Sequence, residues 1–264
     1  MINLNIAQQR LINQNIVGNL FERPDEVVRW LGAIQAQDYL GALWAIGLRM
    51  KKALETDIEQ AIRDKTIVRT WLLRGTLHFA PAEDVRWMIK FLAPRIIQGR
   101  RSYMKRLNLY DDIFDHSKEV LTCILQGGEQ LTRKAIYHAL ELENISTADQ
   151  RGLQILWQLA LEGLICFGPR EGKQQTFVLM DEWIPKTKSM KRNEAMSKLA
   201  RRYFISHGPA TVHDFAWWSG LKIADARKAL EMTESQFAQK EVYGQTYWFS
   251  NSSQITNENF YKPF

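Results

Sequence analysis

The spacing of hydrophobic positions predicts helices followed by a β-hairpin in the first 80 residues. Apolar residues recur three or four positions apart within Asn5–Asn19, after Pro24 and within Tyr39–Met50, as on one face of a helix. Residues rich in β-branched and aromatic side chains then run from Ile67 to Leu72, and a second run, Thr76–Phe79, returns after a turn. Helices that precede a hairpin are typical of a winged-helix unit.

The same order of elements recurs twice further along the chain. In the second copy a long helix ends at Gly163, and two short strands flank the polar linker Pro169–Gln175. In the third copy a helix ends before Gly208, and two strands flank Tyr243–Gln245. We therefore predict an α+β fold, mostly α-helical with small β-hairpins, arranged as tandem winged-helix (helix-turn-helix plus wing) repeats.

Short polar side chains mark the predicted helix starts. Thr56, with a glutamate three residues later, has the pattern of a capping box. Thr132 and Thr211 each follow a turn and are predicted to cap the middle helix of their copies. Thr147 or its neighbour Ser146 is predicted to cap the long helix of the second copy.

These elements divide the chain into five predicted parts. The first winged-helix unit, with the candidate chemistry, spans 1–80, and a basic helical connector spans 81–109. The second winged-helix unit spans 110–185 and the third spans 186–250. A polar tail covers 251–264.

The charge pattern favours a nucleic-acid partner. The chain has 35 Lys and Arg against 29 Asp and Glu, and the excess is concentrated in two stretches that join the predicted units. Such clusters can neutralise phosphates of double-stranded DNA, although either stretch alone could be a solvated helix face. The basic residues predicted to contact DNA are Arg69, Arg74, Arg95, Arg100, Arg101, Lys105, Arg106, Lys191, Arg192, Arg201 and Arg202.

The sequence lacks the segments and motifs of several other classes of protein. No segment has the ~20 apolar residues of a membrane span, and the polar first ten residues lack the apolar stretch of a signal peptide. We therefore expect a cytoplasmic, nucleoid-associated monomer with no membrane or protein partner. Metal-ligand spacings, a phosphate-binding loop and a nucleophile elbow are missing from the sequence, so we expect no metal and no cofactor.

Candidate chemistry lies in the run Gln35-Ala36-Gln37-Asp38, between two apolar helices. Residues two apart share a side only in an extended segment, so Gln35 and Gln37 can converge only if the backbone leaves the helix here. Their carboxamides could then orient a water and stabilise developing positive charge, and Asp38 could accept a proton. Alternatively, the glutamines satisfy helix-end backbone groups and Asp38 caps the next helix.

A second polar cluster lies in the first predicted hairpin. Arg69 and Arg74 could reach phosphates from this position. Thr76 and His78 are two apart on one strand and should share a face, and Trp71 should lie on the Arg69 face. The alternative is a charged wing with a core tryptophan and a structural histidine.

Three phrases together resemble one protein family. Gln35-Ala36-Gln37-Asp38 with Leu43-Trp44-Ala45 resembles the glutamine–apolar–glutamine motif of the AlkZ-type DNA glycosylases. Arg69-Thr70-Trp71 with Arg74–His78 resembles a second phrase of that family. The stretch His207–Leu221 resembles its third winged-helix unit.

The resemblance implies a monofunctional DNA glycosylase that excises alkylated or crosslinked, N7-adducted guanine. Gln35 and Gln37 would be its catalytic pair, and Gln37 groups the chain with the AlkZ type rather than the YcaQ type, which carries Asp there. We expect Asp38, Thr76 and His78 to support the site.

A non-enzymatic winged-helix regulator is the alternative, and sequence-specific dimeric binding would favour it. Because family members continue into a β-rich C-terminal domain, the resemblance implies either a fragment, in which 251–264 begins that domain, or a short form of the family.

Overall fold

The computed structural model describes residues 5–18, 20–187 and 189–251, in which helices alternate with short strands. In the first part of the chain the helices are α1 (Ile6–Asn13), α2 (Pro24–Leu31), α3 (Tyr39–Gly47), α4 (Glu55–Arg63) and α5 (Ala82–Arg106). The later helices are α6 (Asp111–Leu125), α7 (Arg133–Leu142), α8 (Arg151–Leu161), α9 (Met180–Trp183), α10 (Arg192–His207), α11 (Val212–Ser219) and α12 (Ile223–Glu231). No helix among the described residues combines the length and the apolar character needed to cross a membrane.

The strands confirm all three predicted hairpins. They are β1 (Ile34–Gln35), β2 (Ile67–Trp71), β3 (Leu77–Pro81), β4 (Leu131–Thr132), β5 (Ile165–Glu171), β6 (Gln174–Leu179), β7 (Phe237–Val242) and β8 (Gln245–Ser250). A six-stranded antiparallel sheet has the order β1-β3-β2-β5-β6-β4, and β7 and β8 form a second sheet. The first two hairpins thus belong to one sheet, joined where Arg69 pairs with Phe167.

The chain folds into two units. The first comprises the described residues within Met1–Gly32, Leu43–Glu55 and Met190–Phe264, and the second comprises Ala33–Ala42 and the described residues within Thr56–Ser189. The six-stranded sheet belongs to the second unit. The bounds of these two units differ from those of the three predicted winged-helix units. The tandem winged-helix repeat and its bounds therefore stay a prediction.

Aromatic packing forms the core of the first unit. Helix α10 packs against α1, α2 and α12. Phe204 and Phe215 are fully buried, with ring centroids 5.5 Å apart. Tyr203 lies 5.2 Å from Phe215 and 5.0 Å from Trp218. These contacts bury the apolar faces that the spacing of the sequence had predicted to be helical.

The core of the second unit lies between its sheet and helices α5 and α8, which both pack on strands. Phe79 and Ile67 on the first hairpin are fully buried. Trp71, Phe167 and Phe177 form an aromatic cluster, with centroids 5.1 Å apart for Trp71 and Phe167 and 4.5 Å apart for the two phenylalanines. This cluster connects the two hairpins across the sheet.

Three predicted helix ends are wrong. Helix α1 ends at Asn13, well before the predicted end at Asn19, which lies outside the described residues. Helix α4 begins at Glu55, so Thr56 lies inside it and does not cap it. Helix α8 begins only at Arg151, so neither Ser146 nor Thr147 is its cap, and the Thr147 hydroxyl instead donates to the Glu141 carboxylate.

Two other predicted caps are confirmed. Thr132 Oγ1 accepts a hydrogen bond from the Ala135 N–H at 3.3 Å. Thr211 Oγ1 accepts from the Asp214 N–H at 3.1 Å, and the Asp214 carboxylate accepts from the Thr211 N–H at 2.9 Å. The second arrangement is a reciprocal capping box, which satisfies two N–H groups at the start of α11.

We expect Thr211→Ala to lower the free energy of unfolding by about 1 kcal/mol, because an N–H of α11 loses its acceptor. Thr211→Ser keeps the hydroxyl and should retain most of the stability. Urea denaturation followed by circular dichroism measures both. Equal midpoints for the alanine variant and the parent would show that this cap contributes nothing.

Candidate functional site

Gln35 and Gln37 lie on an extended segment at the edge of the six-stranded sheet. Strand β1 ends at Gln35 and pairs with β3, with Gln35 opposite His78. Burial alternates along the segment: Ile34 and Ala36 are buried, and both glutamines are exposed. Such alternation directs the two glutamines to the solvent side. The backbone therefore leaves the helix at this point, which is the condition that convergence of the pair requires.

The hydrogen-bond ladder of β1 stops after Ala36. The Ala36 N–H donates to the Leu77 carbonyl at 2.8 Å. The Leu77 N–H donates to Gln37 Oε1 at 2.9 Å, so a side-chain amide replaces the backbone acceptor of a continuing strand. The Gln37 carbonyl oxygen is thus occupied, while its Nε2 group makes no hydrogen bond with the described residues.

Gln35 differs from Gln37 in having no hydrogen bond from its side chain to any described residue. Its exposed amide offers one acceptor oxygen and two donor hydrogens to a ligand or a water molecule. Gln37 is consequently fixed by the backbone of the neighbouring strand, whereas the whole side-chain amide of Gln35 is available to a ligand.

Arg69 holds the carbonyl group between the two glutamines. Its Nε and Nη2 atoms donate to the Ala36 carbonyl at 3.1 and 2.8 Å, and Nη1 donates to Gln175 Oε1 at 3.1 Å. The guanidinium lies 5.2 Å from the centroid of the Tyr39 ring and 4.7 Å from that of Phe167. Burial of this side chain, only 5% exposed, lowers its pKa to about 10. Arg69 is thus a buried cation that holds this segment, and its contact with a phosphate stays a prediction.

A charged network surrounds the Tyr39 ring at the start of α3. The Tyr39 hydroxyl donates to Glu59 Oε1 at 2.7 Å, and Arg170 Nη2 lies 2.6 Å from the same oxygen. The Arg170 guanidinium also lies 4.8 Å from the centroid of the Tyr39 ring. Burial, followed by the effect of Glu59, raises the pKa of Tyr39. The hydroxyl therefore stays protonated, and the network ties α3 to α4 and β5.

The three predicted supporting residues each make a hydrogen bond with the backbone. Asp38 Oδ1 accepts from the Gly41 N–H at 3.2 Å, in the first turn of α3. Thr76 Oγ1 donates to the Leu73 carbonyl at 3.1 Å. His78 Nδ1 donates to the Thr76 carbonyl at 2.9 Å, and the ring is 2% exposed. These contacts shape the site locally, and the chemical roles of the three residues stay predictions.

Burial of His78 makes the second unit sensitive to acid. Desolvation lowers the pKa of His78 to about 4, against about 6.5 in the unfolded chain. Between these values the unfolded chain binds a proton that the folded one does not, so stability falls as the pH falls from 6.5 to 4. The loss is roughly 3 kcal/mol over this window. The free energy of unfolding, measured in urea at pH 7 and 4.5, should drop less for His78→Asn than for the parent; equal drops would contradict this.

A cleft of about 480 Å³ opens on the same sheet. Trp71, Phe167 and Phe177 supply aromatic side chains to its lining, and Gln175, which accepts from Arg69, also lines it. The basic residues that line it in addition to Arg69 are Arg133, Lys134 and Lys173.

The remaining predicted DNA contacts are distributed over both units. Arg74 is half-buried in the turn between β2 and β3, in a left-handed conformation with φ 58°. The exposed basic residues on α5 are Arg95, Arg100, Arg101, Lys105 and Arg106. In the first unit, Lys191, Arg192 and Arg201 are exposed, Arg202 is half-buried, and Arg192 pairs with Asp225 at 3.2 Å. Contact of these residues with DNA stays a prediction.

Tyr39, Glu59, Arg170 and Gln175 belong to the site but were not predicted from the sequence. Glu59 lies in α4, and Arg170 and Gln175 lie in β5 and β6, far along the chain from the glutamines, so only tertiary contacts bring them to Tyr39 and Arg69. The one available signal was Tyr39, which directly follows the polar run. No group of three or more His, Cys, Asp or Glu side chains in the described part of the chain is arranged to hold a metal ion.

Comparisons with known proteins give one consistent result. The sequence model of a family described as DNA glycosylase AlkZ-like matches residues 28–257. The interstrand DNA cross-link repair glycosylase of Streptomyces sahachiroi is 25% identical over 206 residues, which cover 74% of this chain. Those residues cover 54% of the relative, so the chain spans about half the length of the curated protein it matches.

A solved structure supports the fold. Streptomyces sahachiroi DNA glycosylase AlkZ superposes with a TM-score of 0.76 at 22% sequence identity. The superposition covers 94% of this chain and 71% of that protein. The mixed α and β architecture is therefore one that a solved protein shares.

Proposed function

This chain belongs to the DNA glycosylase AlkZ-like family, and on that premise we propose that it hydrolyses the N-glycosidic bond of N7-adducted guanine in duplex DNA. The substrate class is alkylated or crosslinked guanine, and the enzyme is monofunctional. The observation that carries the proposal is the exposed pair Gln35 and Gln37, held at the sheet edge by Leu77 and Arg69. The cross-link repair named for the Streptomyces relative supports the choice of lesion.

The chemistry suits two carboxamides. A guanine alkylated at N7 is already cationic, so it departs with the electrons of the glycosidic bond and needs little acid catalysis. What the reaction needs is a water molecule at C1′ and support for positive charge on the sugar, which oriented dipoles supply. It needs no metal and no cofactor.

The hydrogen bonds of the pair suggest a division of roles. Because Gln37 Oε1 is occupied by the Leu77 N–H, Gln37 has its Nε2 group to donate to the water oxygen. Gln35 has its whole amide available, so its carbonyl oxygen accepts a hydrogen of the water and turns its negative end toward the sugar. Water adds to C1′ as the base leaves, and the released proton passes to the exposed Asp38 carboxylate or to solvent.

Double-stranded DNA is the proposed partner. The exposed arginines and lysines of α5 and α10 would neutralise backbone phosphates, and affinity should fall steeply as salt rises. Both glutamines come from one chain, so we propose that the protein acts as a monomer.

Excision from duplex DNA tests the proposal. One duplex carries N7-methylguanine and a second carries a bulky or crosslinked N7 adduct; strand breaks are read before and after alkali. We expect breaks only after alkali, because a monofunctional enzyme leaves the backbone intact. DNA binding without breaks from either lesion would overturn the proposal and favour the non-enzymatic regulator.

A further inference from the structure

The cleft on the six-stranded sheet plays no part in the hydrolysis described above. We propose that it binds a single unpaired nucleotide of the DNA strand. The base would lie against the apolar floor of the cleft, formed around Trp71, Phe167 and Phe177, and a phosphate would lie at its basic rim, formed by Arg133, Lys134 and Lys173. Its volume of about 480 Å³ falls within the range of small-molecule sites.

The rim of the cleft is positively charged and would attract an anion. Arg133 and Lys134 begin α7, and Lys173 lies in the turn between β5 and β6. All three side chains are exposed. None of them forms an ion pair with an acidic residue in the part of the chain that the structure describes. The cleft lining includes no aspartate or glutamate. Unpaired cations of one sign around a concave surface concentrate anionic ligands there.

The floor of the cleft is apolar and fits a flat apolar group. The aromatic cluster of Trp71, Phe167 and Phe177, which is only 2–6% exposed, lies beneath it, and the half-buried side chains of Leu77 and Leu153 complete it. A free phosphate would leave this apolar surface unused, and a purely apolar ligand would leave three cations unpaired. A nucleotide matches both, because its base has an apolar face and its phosphate a negative charge.

The cleft is connected to the segment of the glutamine pair through one buried side chain. One guanidinium, that of Arg69, donates to the Ala36 carbonyl between the glutamines and to Gln175 on the cleft wall. Gln35 pairs with His78, whereas Arg69 pairs with Phe79, so the Gln35 side chain and the cleft lie on opposite faces of the sheet. The nucleotide in the cleft is therefore not the one at the glutamine pair, and its binding does not rest on the proposed function.

The affinity of the protein for two undamaged duplexes tests the inference. One duplex is fully paired, and the other has the same sequence with a single-nucleotide bulge. We expect the parent to bind the bulged duplex at least ~10-fold more tightly, because its extra nucleotide is free without the unpairing that a paired one requires. Fluorescence anisotropy at fixed salt gives both dissociation constants.

Variants of the cleft separate this site from general DNA binding. Leu153→Trp fills the cleft without changing its charge and should abolish the preference, leaving affinity for the paired duplex within about 2-fold. Lys173→Glu, in an exposed turn, should lower affinity for the bulged duplex more than for the paired one. Lys118→Glu makes the same charge change at an exposed position of α6 outside the cleft and should affect both duplexes equally.

Two results would overturn the inference: no preference in the parent, or a preference that persists in both Leu153→Trp and Lys173→Glu. Circular dichroism verifies that each variant is folded. Since the duplexes carry no lesion, a failure to excise N7-methylguanine would count against the glycosylase proposal and leave the nucleotide site intact.

Discussion

Gln35→Ala is expected to lower the rate of N7-methylguanine excision at least ~100-fold, the usual effect of removing one group that stabilises a transition state. The Gln35 amide is exposed and makes no hydrogen bond with the described residues, so its loss leaves no buried group unsatisfied. Stability and DNA affinity should therefore stay close to those of the parent. Single-turnover assays with alkali-revealed breaks give the rate, and anisotropy gives the affinity.

Gln37→Ala should lower the rate as strongly and also reduce stability slightly, because the Leu77 N–H loses its acceptor. Gln37→Glu keeps an acceptor for that N–H but loses the donor group, so it should recover stability without recovering excision. Gln126→Ala, an exposed glutamine of the same unit, is the matched control. Parent rates in both alanine variants at positions 35 and 37 would show that the pair is not catalytic.

Arg69→Met is expected to destabilise the protein by about 2 kcal/mol, the usual cost of leaving a buried acceptor without its donor. The substitution leaves the Ala36 carbonyl and the Gln175 amide without their shared donor. It also frees the segment between the glutamines, so kcat should fall more than KM rises. Arg69→Lys keeps the charge but lacks the planar fork, and it should recover stability only in part.

Arg63→Met is the control for this variant. Arg63 is exposed on α4, and its Nε donates only to the side chain of Gln60 at 3.0 Å. The same substitution there should change stability by less than about 0.5 kcal/mol. A melting temperature of Arg69→Met equal to that of the control would show that the Ala36 contact contributes little to the fold, and an unchanged kcat that it does not position the glutamines.

The pattern of the sequence predicts local structure well in this chain. The three hairpins were predicted from runs of β-branched and aromatic residues, and the caps at Thr132 and Thr211 from a short polar side chain after a turn. Each of these features depends on interactions between residues close in the chain. The extended backbone at Gln35 was only the condition for convergence of the two glutamines, and the sequence left it open beside a helix-end role.

Arg69 illustrates what local patterns leave undetermined. Strand alternation correctly placed it on the face of Trp71, and both side chains line the cleft. It could not reveal that β5 pairs with β2 and places Phe167 beside Arg69, whose guanidinium is consequently buried. Glu59 was assigned to a helix cap for the same reason, although its partners Tyr39 and Arg170 come from other elements.

The discontinuous first unit has a consequence for synthesis on the ribosome. Val27 and Val28 of α2 are fully buried, and α2 packs against α10, which follows the whole of the second unit in the chain. The second unit can fold as soon as Ser189 has emerged, while the earliest helices of the nascent chain still lack their partner. Slow translation before α10 would prolong that exposure, and chaperones that hold apolar helices would then have the most effect on yield.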